Sequence, residues 1–371
     1  MNRKWITVFL LVLLVCFPVY QLIISLVGMN RTIIIAGGPE GGLYHPIALS
    51  LKNAIIRSGR KAEVLSTDGT VENLQKIAKG KADFALVQPG AYEGLVRFEP
   101  LLLIEESRKI DVHLLDRVSF VANLYSQPLH IAIRKGSGIQ SLKDLKGKRI
   151  NLGDKLSGDY SMSCLLLESL EIEKSELHSN FSYSKMIDYF EKDELDAAFI
   201  TVGMQADVFH NLSNLGKIRF LSIPNNKALA AMQLELTPYK VPRGIYQFEG
   251  SAIPVSSINT VATGAHLITR ADMGNSVVER VAQEVLKTSF LKENKLQELF
   301  DGGKSFAKLK PFFPVHEGAR RVYEPETRSF FRPDIVEMWE NLRSFIVSVC
   351  VALFFGYKWF RKRQDRLKEN K

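Results

Sequence analysis

The amino-acid sequence predicts an α/β protein, with parallel sheets carrying helices on their faces, set between two apolar membrane segments. Three observations predict it. Strand and helix patterns alternate in two successive units, glycine- or hydroxyl-rich loops sit at the strand-to-helix joints, and charge-free runs occupy both ends of the chain. Such alternation implies a parallel sheet with helices on its faces.

Residues 32–36 are a short apolar, β-branched run, read as the first strand. After Gly37-Gly38-Pro39-Glu40-Gly41-Gly42, the residues Ile47, Leu51 and Ile55 recur at helical spacing until Gly59 stops the helix. Residues 61–66 read as a second strand. Thr70 caps a helix through Lys79 that Gly80 ends, and residues 83–87 form a third strand. A second unit starts near Leu129, with a strand over 130–134 and a short helix opened by the capping box of Ser141 and Asp144. Its further elements are a strand over 149–152, a helix over 161–170 and a strand over 197–200. A late strand covers 261–269, and helices follow over 275–288 and 292–300. Residues 236–257, with Pro238, Pro242 and Pro254, read as irregular loop.

Of the 371 residues, 46% are hydrophobic and 24% charged, an ordinary globular composition. The length suits two lobes, each large enough to bury a core of its own. The formal charge of +9 is concentrated at the ends, in Arg3 and Lys4 and in the basic stretch from Arg343 onward. Basic residues flanking apolar segments fit the positive-inside rule better than nucleic-acid binding, and no basic-aromatic face supports a nucleic-acid partner. Of the three cysteines, Cys16 and Cys350 lie in the apolar ends, and Cys164 alone occupies the middle, where no internal disulfide can form.

Residues 5–27 carry no charge, long enough at about 1.5 Å per residue to cross a hydrocarbon core of about 30 Å. A cleaved signal peptide is the alternative; its apolar core would be shorter, and no A-x-A cleavage site is evident here. At the other end residues 344–357 are free of charge, and Arg343 and Lys358 can snorkel, which extends the usable span to 342–360. An interfacial amphipathic helix is the alternative there. The organisation expected is an N-terminal anchor (1–29), a first lobe (30–125 and 260–340), a second lobe (126–259), a C-terminal transmembrane helix (342–360) and a basic cytoplasmic tail (361–371). Both termini would face the cytoplasm and residues 30–340 the outside of the inner membrane.

Three loops carry the candidate chemistry, over residues 37–44, 67–70 and 153–161. Glycine lets a backbone approach a ligand closely, and unpaired amides of a first helical turn attract anions. In parallel sheets, ligands bind beyond the carboxyl ends of the strands, where these loops lie. A nucleotide site fails on detail: Pro39 breaks G-x-G-x-x-G, and no Lys-Ser/Thr follows to hold phosphates. Ser157-Gly158-Asp159 lacks the context of a nucleophile elbow. The seven histidines fall singly and the cysteines are unpaired, so no metal site or cofactor is expected, and His45 and His316 read as structural or surface residues. No nucleophile, base and orienting group assemble, so binding without catalysis is the expectation.

Gly41-Gly42-Leu43-Tyr44 with Pro46, and residues 67–74, resemble the G-G-x-Y and T-x-G-S-x-E-N-L segments of the TAXI family of solute-binding proteins that serve TRAP transporters. Ala82-Asp83-Phe84-Ala85-Leu86-Val87-Gln88 resembles D-F-A-x-x-Q. Leu142 to Lys148 is similar to D-L-K-G-K, and a G-x-x-x-S-G loop follows at 153–158. Asp196-Ala197-Ala198-Phe199 with Gly203 resembles D-A-x-F…G, and Val315-His316-Glu317-Gly318-Ala319 resembles H-x-G-A. The resemblance implies a two-lobed type II periplasmic-binding-protein fold, its lobes joined by crossing strands at 124–134 and 260–269. It places Gly41, Gly42, Tyr44, Thr67, Gly69, Thr70, Asn73 and Gln88 from one lobe at the cleft, and Ser157, Gly158, Asp159 and Gly203 from the other. The ligand implied is a small polar solute, a carboxylate or amino acid, delivered to multispanning permease subunits. Asp159 stands where the family usually has a hydroxyl; its carboxylate would repel an anion or pair with a ligand's ammonium. A sensor or scaffold that keeps the binding fold and docks a membrane partner is the competing reading, motivated by anchorage at both ends.

Overall fold

The computed structural model describes residues 31–38, 42–91, 112–247, 250–325, 347–363 and 366. They fall in two compact units, one spanning Ile33–Tyr323 and the other drawn from Met1–Thr32 and Glu324–Lys371.

In the larger unit, β1 (Ile33–Ala36) pairs in parallel with β2 (Ala62–Leu65) and β3 (Phe84–Val87). The helices between them are α1 (Tyr44–Arg57), which buries Ile47, Leu51 and Ile55, and α2 (Thr70–Ala78), which buries Val71, Leu74 and Ile77. Both stripes follow the helical repeat that the sequence shows.

A long strand, β4 (Val118–Arg134), leads into β5 (Ile150–Asn151), α3 (Gly158–Ser169), β6 (His178–Ser179), α4 (Tyr183–Glu191) and β7 (Ala197–Thr201). Here β5 pairs in parallel with both β6 and β7. Next come α5 (Asp207–Asn214), β8 (Ile218–Leu221), α6 (Asn226–Met232), β9 (Thr237–Val241) and the second long strand, β10 (Ile258–Arg270). Helices α7 (Asn275–Val285), α8 (Thr288–Glu293), α9 (Gln297–Ala307) and α10 (Glu317–Tyr323) close the unit. The hydrogen-bonded order is β2-β1-β3-β10-β4-β7-β5-β6, with β8 on β4 and β9 on β10. Two parallel groups are thus joined through the antiparallel pair β4–β10. Separate apolar clusters cover the two sides, one around Ile35, Phe84 and Leu267, another around Ile131, Ile150 and Phe199.

Several elements depart from the sequence expectation. The crossing strands are longer than 124–134 and 260–269, because buried polar residues such as Ser119 and Asn123 interrupt the apolar pattern without interrupting the ladder. The stretch expected as irregular loop contains β9, whose Pro238 is tolerated because β9 is an edge strand paired with β10. The single helix expected over 292–300 is two. Lys295 takes a left-handed φ of 53°, which separates α8 from α9. The capping box of Ser141 and Asp144 is present, with the Asp144 carboxylate accepting from the backbone amides of Gln140 and Ser141 at 2.9 and 2.8 Å.

Two aspartates fasten the strand starts on either side. The Asp83 carboxylate, 1% exposed, accepts from the Ile34 amide at 2.9 Å and lies 3.3 Å from the Arg270 guanidinium of β10. Asp196 accepts from Arg134 of β4 at 2.7 Å and from the Arg149 side chain at 2.8 and 2.9 Å. Both therefore tie a parallel group to the central pair.

In the smaller unit, residues 347–363 form a helix with exposed apolar side chains that include Leu353, Phe354 and Phe360, and Arg363 lies over the Trp359 ring. Among the described residues no helix is long and apolar enough to cross a membrane. The expected span at 5–27 lies outside the described residues, and the one at 342–360 lies only partly within them.

The hydrogen bonds from Arg149 and Arg134 hold the Asp196 carboxyl well below the usual carboxylate range. Asp196→Ala should lower stability by about 2–3 kcal/mol at neutral pH, since charged hydrogen bonds are lost and two arginines are left unpaired. A depressed folded-state pKa contributes fully above the unfolded value, about 3.9, and is lost as pH falls below it. Urea midpoints of variant and wild type should therefore converge in acid.

Candidate functional site

The loops at the carboxyl ends of β1, β2, β3 and β7 and the starts of α1, α2, α3 and α4 enclose a cavity of about 450 Å³. Gly42, Leu43 and Tyr44 enter from α1, and Asp68, Gly69 and Thr70 from α2. Gln88 follows β3 and Gln127 lies in β4. Asp154, Ser157, Gly158 and Asp159 come from the α3 loop, Phe181 to Ser184 from the start of α4, and Thr201 and Val202 from the end of β7.

Local chemistry explains each placement. Gly69 precedes α2 at a φ of 124°, a conformation L side chains rarely adopt. Thr70 then donates its position to the strand end, its hydroxyl oxygen accepting from the Gln88 amide at 3.1 Å. Ser157 caps α3, accepting from the Tyr160 amide at 3.3 Å and donating to the Asp154 carbonyl at 2.6 Å. Helix starts carry amides without an intrahelical acceptor, so the positive ends of α1, α2 and α3 meet at one cavity; Pro46 leaves α1 one amide fewer, and Ser157 takes the Tyr160 amide of α3.

Gln88 reaches across the cavity and donates from Nε2 to the Gly158 carbonyl at 3.1 Å. The fit is close: a Cβ at Gly158 would lie 2.1 Å from Gln88 Oε1. Beside it, Ser161 donates to the Ala91 carbonyl at 2.8 Å. Gln127 donates to the Tyr44 hydroxyl at 3.1 Å and to the Gly264 carbonyl at 2.9 Å, which fixes the cavity floor to the β4–β10 pair.

Asp159 is 6% exposed. Its carboxylate accepts from the Tyr183 hydroxyl at 2.7 Å and from the Thr201 amide at 2.8 Å. Burial raises its pKa to about 6, and these two hydrogen bonds pull in the opposite direction. Burial likewise pushes the Tyr44 and Tyr183 phenols above their ordinary value, with the Asp159 charge adding to it. None of the described lining residues is Lys, Arg or His.

Of the residues expected from sequence, Gly42, Tyr44, Gly69, Thr70, Gln88, Ser157, Gly158 and Asp159 line the cavity. Gly41 lies outside the described residues. Thr67, Asn73 and Gly203 do not line it. Thr67 accepts from the Gly38 amide at 2.9 Å and donates to Asn73 at 2.6 Å, and Asn73 donates to the Leu86 carbonyl at 2.7 Å. This buried chain joins the ends of β1, β2 and β3 one layer behind the cavity. Gly203 packs against the back of Leu43 and Tyr125, where a Cβ would come within 2.7 and 2.8 Å. His316 is buried, accepting from the Gly318 amide at 3.1 Å, and supports the sheet rather than the cavity.

Leu43, Asp68 and Asp154 lie in the three loops that the sequence marks but were not singled out there, and sequence reasoning missed Gln127, Phe181, Ser182, Tyr183, Ser184, Thr201 and Val202 altogether. A signal existed for two groups: Ser182 sits at a helix start, and Thr201 ends a strand of the parallel group. Gln127 had none, since it lies inside a buried strand.

The chain is similar to several solved structures of low identity. MatC from Rhodopseudomonas palustris with bound malate is 14% identical, with a TM-score of 0.48, over 87% of this chain and 99% of that one. An ancestral arginine-binding protein bound to arginine is 14% identical, with a TM-score of 0.44, over 73% and 98%. A histidine kinase sensor domain with similarity to periplasmic binding proteins is 11% identical, with a TM-score of 0.43, over 77% and 100%. The family model described as NMT1-like matches residues 35–326, which takes in the cavity loops, the strands from the middle of β1 onward and the described helices α1 to α10. On that match the chain belongs to the NMT1-like family.

Proposed function

We propose that this protein is a membrane-anchored, extracytoplasmic solute receptor that binds a small carboxylate-bearing molecule between two lobes and hands it to a multispanning permease of the TRAP type. The observation that carries this reading is the convergence of three helix starts on one cavity of about 450 Å³, a volume suited to a small metabolite. Their amides and hydroxyls can hold a carboxylate without a cationic side chain. The lobes are the two parallel groups, and β4 and β10 are the strands that cross between them. Binding rather than turnover fits how the polar groups are used: the Ser157 hydroxyl caps a helix, and both Asp159 oxygens accept internal hydrogen bonds. Anchoring is supported by the charge-free runs at 5–27 and 344–357, and the permease partner by the resemblance of the cavity loops to the TAXI family.

The test is thermal shift followed by calorimetry on the full chain in detergent, against a panel of small carboxylic acids and amino acids. At least one member should raise the melting temperature and bind with one-to-one stoichiometry. No binder across the panel would remove the basis of the reading.

A second expectation concerns closure. Gly158→Ala puts a methyl group where Gln88 now lies, so the contact across the cavity must open. Affinity for the panel's best ligand should fall roughly tenfold, equivalent to about 1.4 kcal/mol, with little change in the urea midpoint of the unliganded protein. Unchanged affinity would mean that the Gln88 contact plays no part in holding the ligand.

A further inference from the structure

Resting on the solute-binding reading above, we infer that the cavity selects a zwitterion: the carboxylate of the ligand lies at the helix starts, and its ammonium group lies on Asp159. This narrows the substrate class from small carboxylates to α-amino acids or close analogues, and it makes Asp159 the residue that decides between them.

Four observations converge on it. First, Asp159 is a desolvated carboxylate with no cationic side chain among the described lining residues. Second, its charge is held in place by the Tyr183 hydroxyl and the Thr201 amide, one on each oxygen. An ionised carboxylate has about four acceptor positions, so two remain for an ammonium donor. Third, the aromatic side chains of Tyr44 and Tyr183 line the same cavity, and aromatic rings attract cations; the ring of Phe181, also in the lining, already carries Lys185 Nζ at 4.3 Å from its centroid. Fourth, the buried Thr201 hydroxyl oxygen has no hydrogen-bond partner beside the amide that holds Asp159, so a polar group is still wanted there.

The opposite charge on the ligand is required by the rest of the cavity. The positive ends of α1, α2 and α3 favour an anion, as helix starts do elsewhere. A dicarboxylate would satisfy them with one end and then meet Asp159, with exposed Asp68 and Asp154 also lining the cavity. Like charges disfavour binding in a low-dielectric site. An amine lacking the carboxylate would satisfy Asp159 and leave the helix starts empty. A zwitterion serves both.

The test compares matched molecules on the full-length wild-type protein by calorimetry. The probes are the twenty common L-amino acids, their 2-hydroxy and 2-oxo acid counterparts, the corresponding amines without the carboxylate, and the dicarboxylates malate and 2-oxoglutarate. At least one amino acid should bind tenfold or more tightly than its hydroxy acid, its oxo acid and its amine. Asp159→Asn, which keeps an acceptor for the Thr201 amide, should weaken that amino acid at least tenfold and leave its hydroxy acid within about threefold. A hydroxy acid, oxo acid or dicarboxylate that binds as tightly as every amino acid overturns the zwitterion inference and leaves the solute-binding reading intact. An amine that matches its amino acid overturns it equally. An absence of binding by every class overturns both. The matched comparison on the wild type stands even if the variant folds poorly.

Discussion

The antiparallel pairing of β4 with β10 is the interaction on which the rest of the larger unit depends. Its register runs from Val118 opposite Arg270 to Pro128 opposite Ala262, with irregularities near Ala265 and Leu267. On one side β10 continues the sheet through β3, and on the other β4 continues it through β7 and β8. Removing this pair would leave two short parallel groups with no common ladder. Its buried positions are not all apolar: several polar ones hold neighbouring elements, while the Thr263 hydroxyl and His266 Nδ1 have no hydrogen-bond partner among the described residues. Asn123 donates to the Phe306 carbonyl at 3.4 Å, Gln127 holds Tyr44, and the Thr260 hydroxyl donates to the Leu129 carbonyl. His130 bonds the Pro128 carbonyl at 2.9 Å and the Tyr246 hydroxyl, and burial drives its pKa down to about 3, so it is neutral at physiological pH. Such groups are tolerated inside a sheet because they are hydrogen-bonded there.

The motifs that first mark the chain divide into two physical kinds. Asp83, Asp196, Thr67, Asn73 and His316 hold strand ends and loops to one another, through buried hydrogen bonds or ion pairs. Gly42 to Tyr44, Gly69, Thr70, Gln88 and Ser157 to Asp159 face the cavity. Both kinds sit on the same loops, since a cavity at the carboxyl ends of strands needs those ends fixed before it can hold a ligand. Residue type alone does not separate them. Thr67 and Thr70 are three positions apart, and one is a strut while the other lines the cavity.

Asp159 joins the two kinds. It opens α3, its oxygens hold Tyr183 and Thr201, and its carboxylate lines the cavity. Its raised pKa follows from burial without a cation. A hydroxyl at this position could make similar hydrogen bonds without the charge, so the charge is the distinguishing property of this cavity.

The sequence by itself determined what local chemistry decides. Helical repeats located α1 and α2, glycine and serine marked where helices begin, and the alternation of strand and helix implied parallel groups. It also showed Asp159 as a carboxylate among loops suited to anions. Only the tertiary structure decided which loop residues face the cavity, that β9 is a strand rather than a loop, and that Gln127, Tyr183 and Thr201 join the site. Those outcomes depend on contacts between residues tens of positions apart, such as Gln88 with Gly158 and Asp159 with Thr201. Periodicity and capping record what a residue does to its own segment. The direction in which a buried polar side chain points is fixed by the partner that packing brings to it.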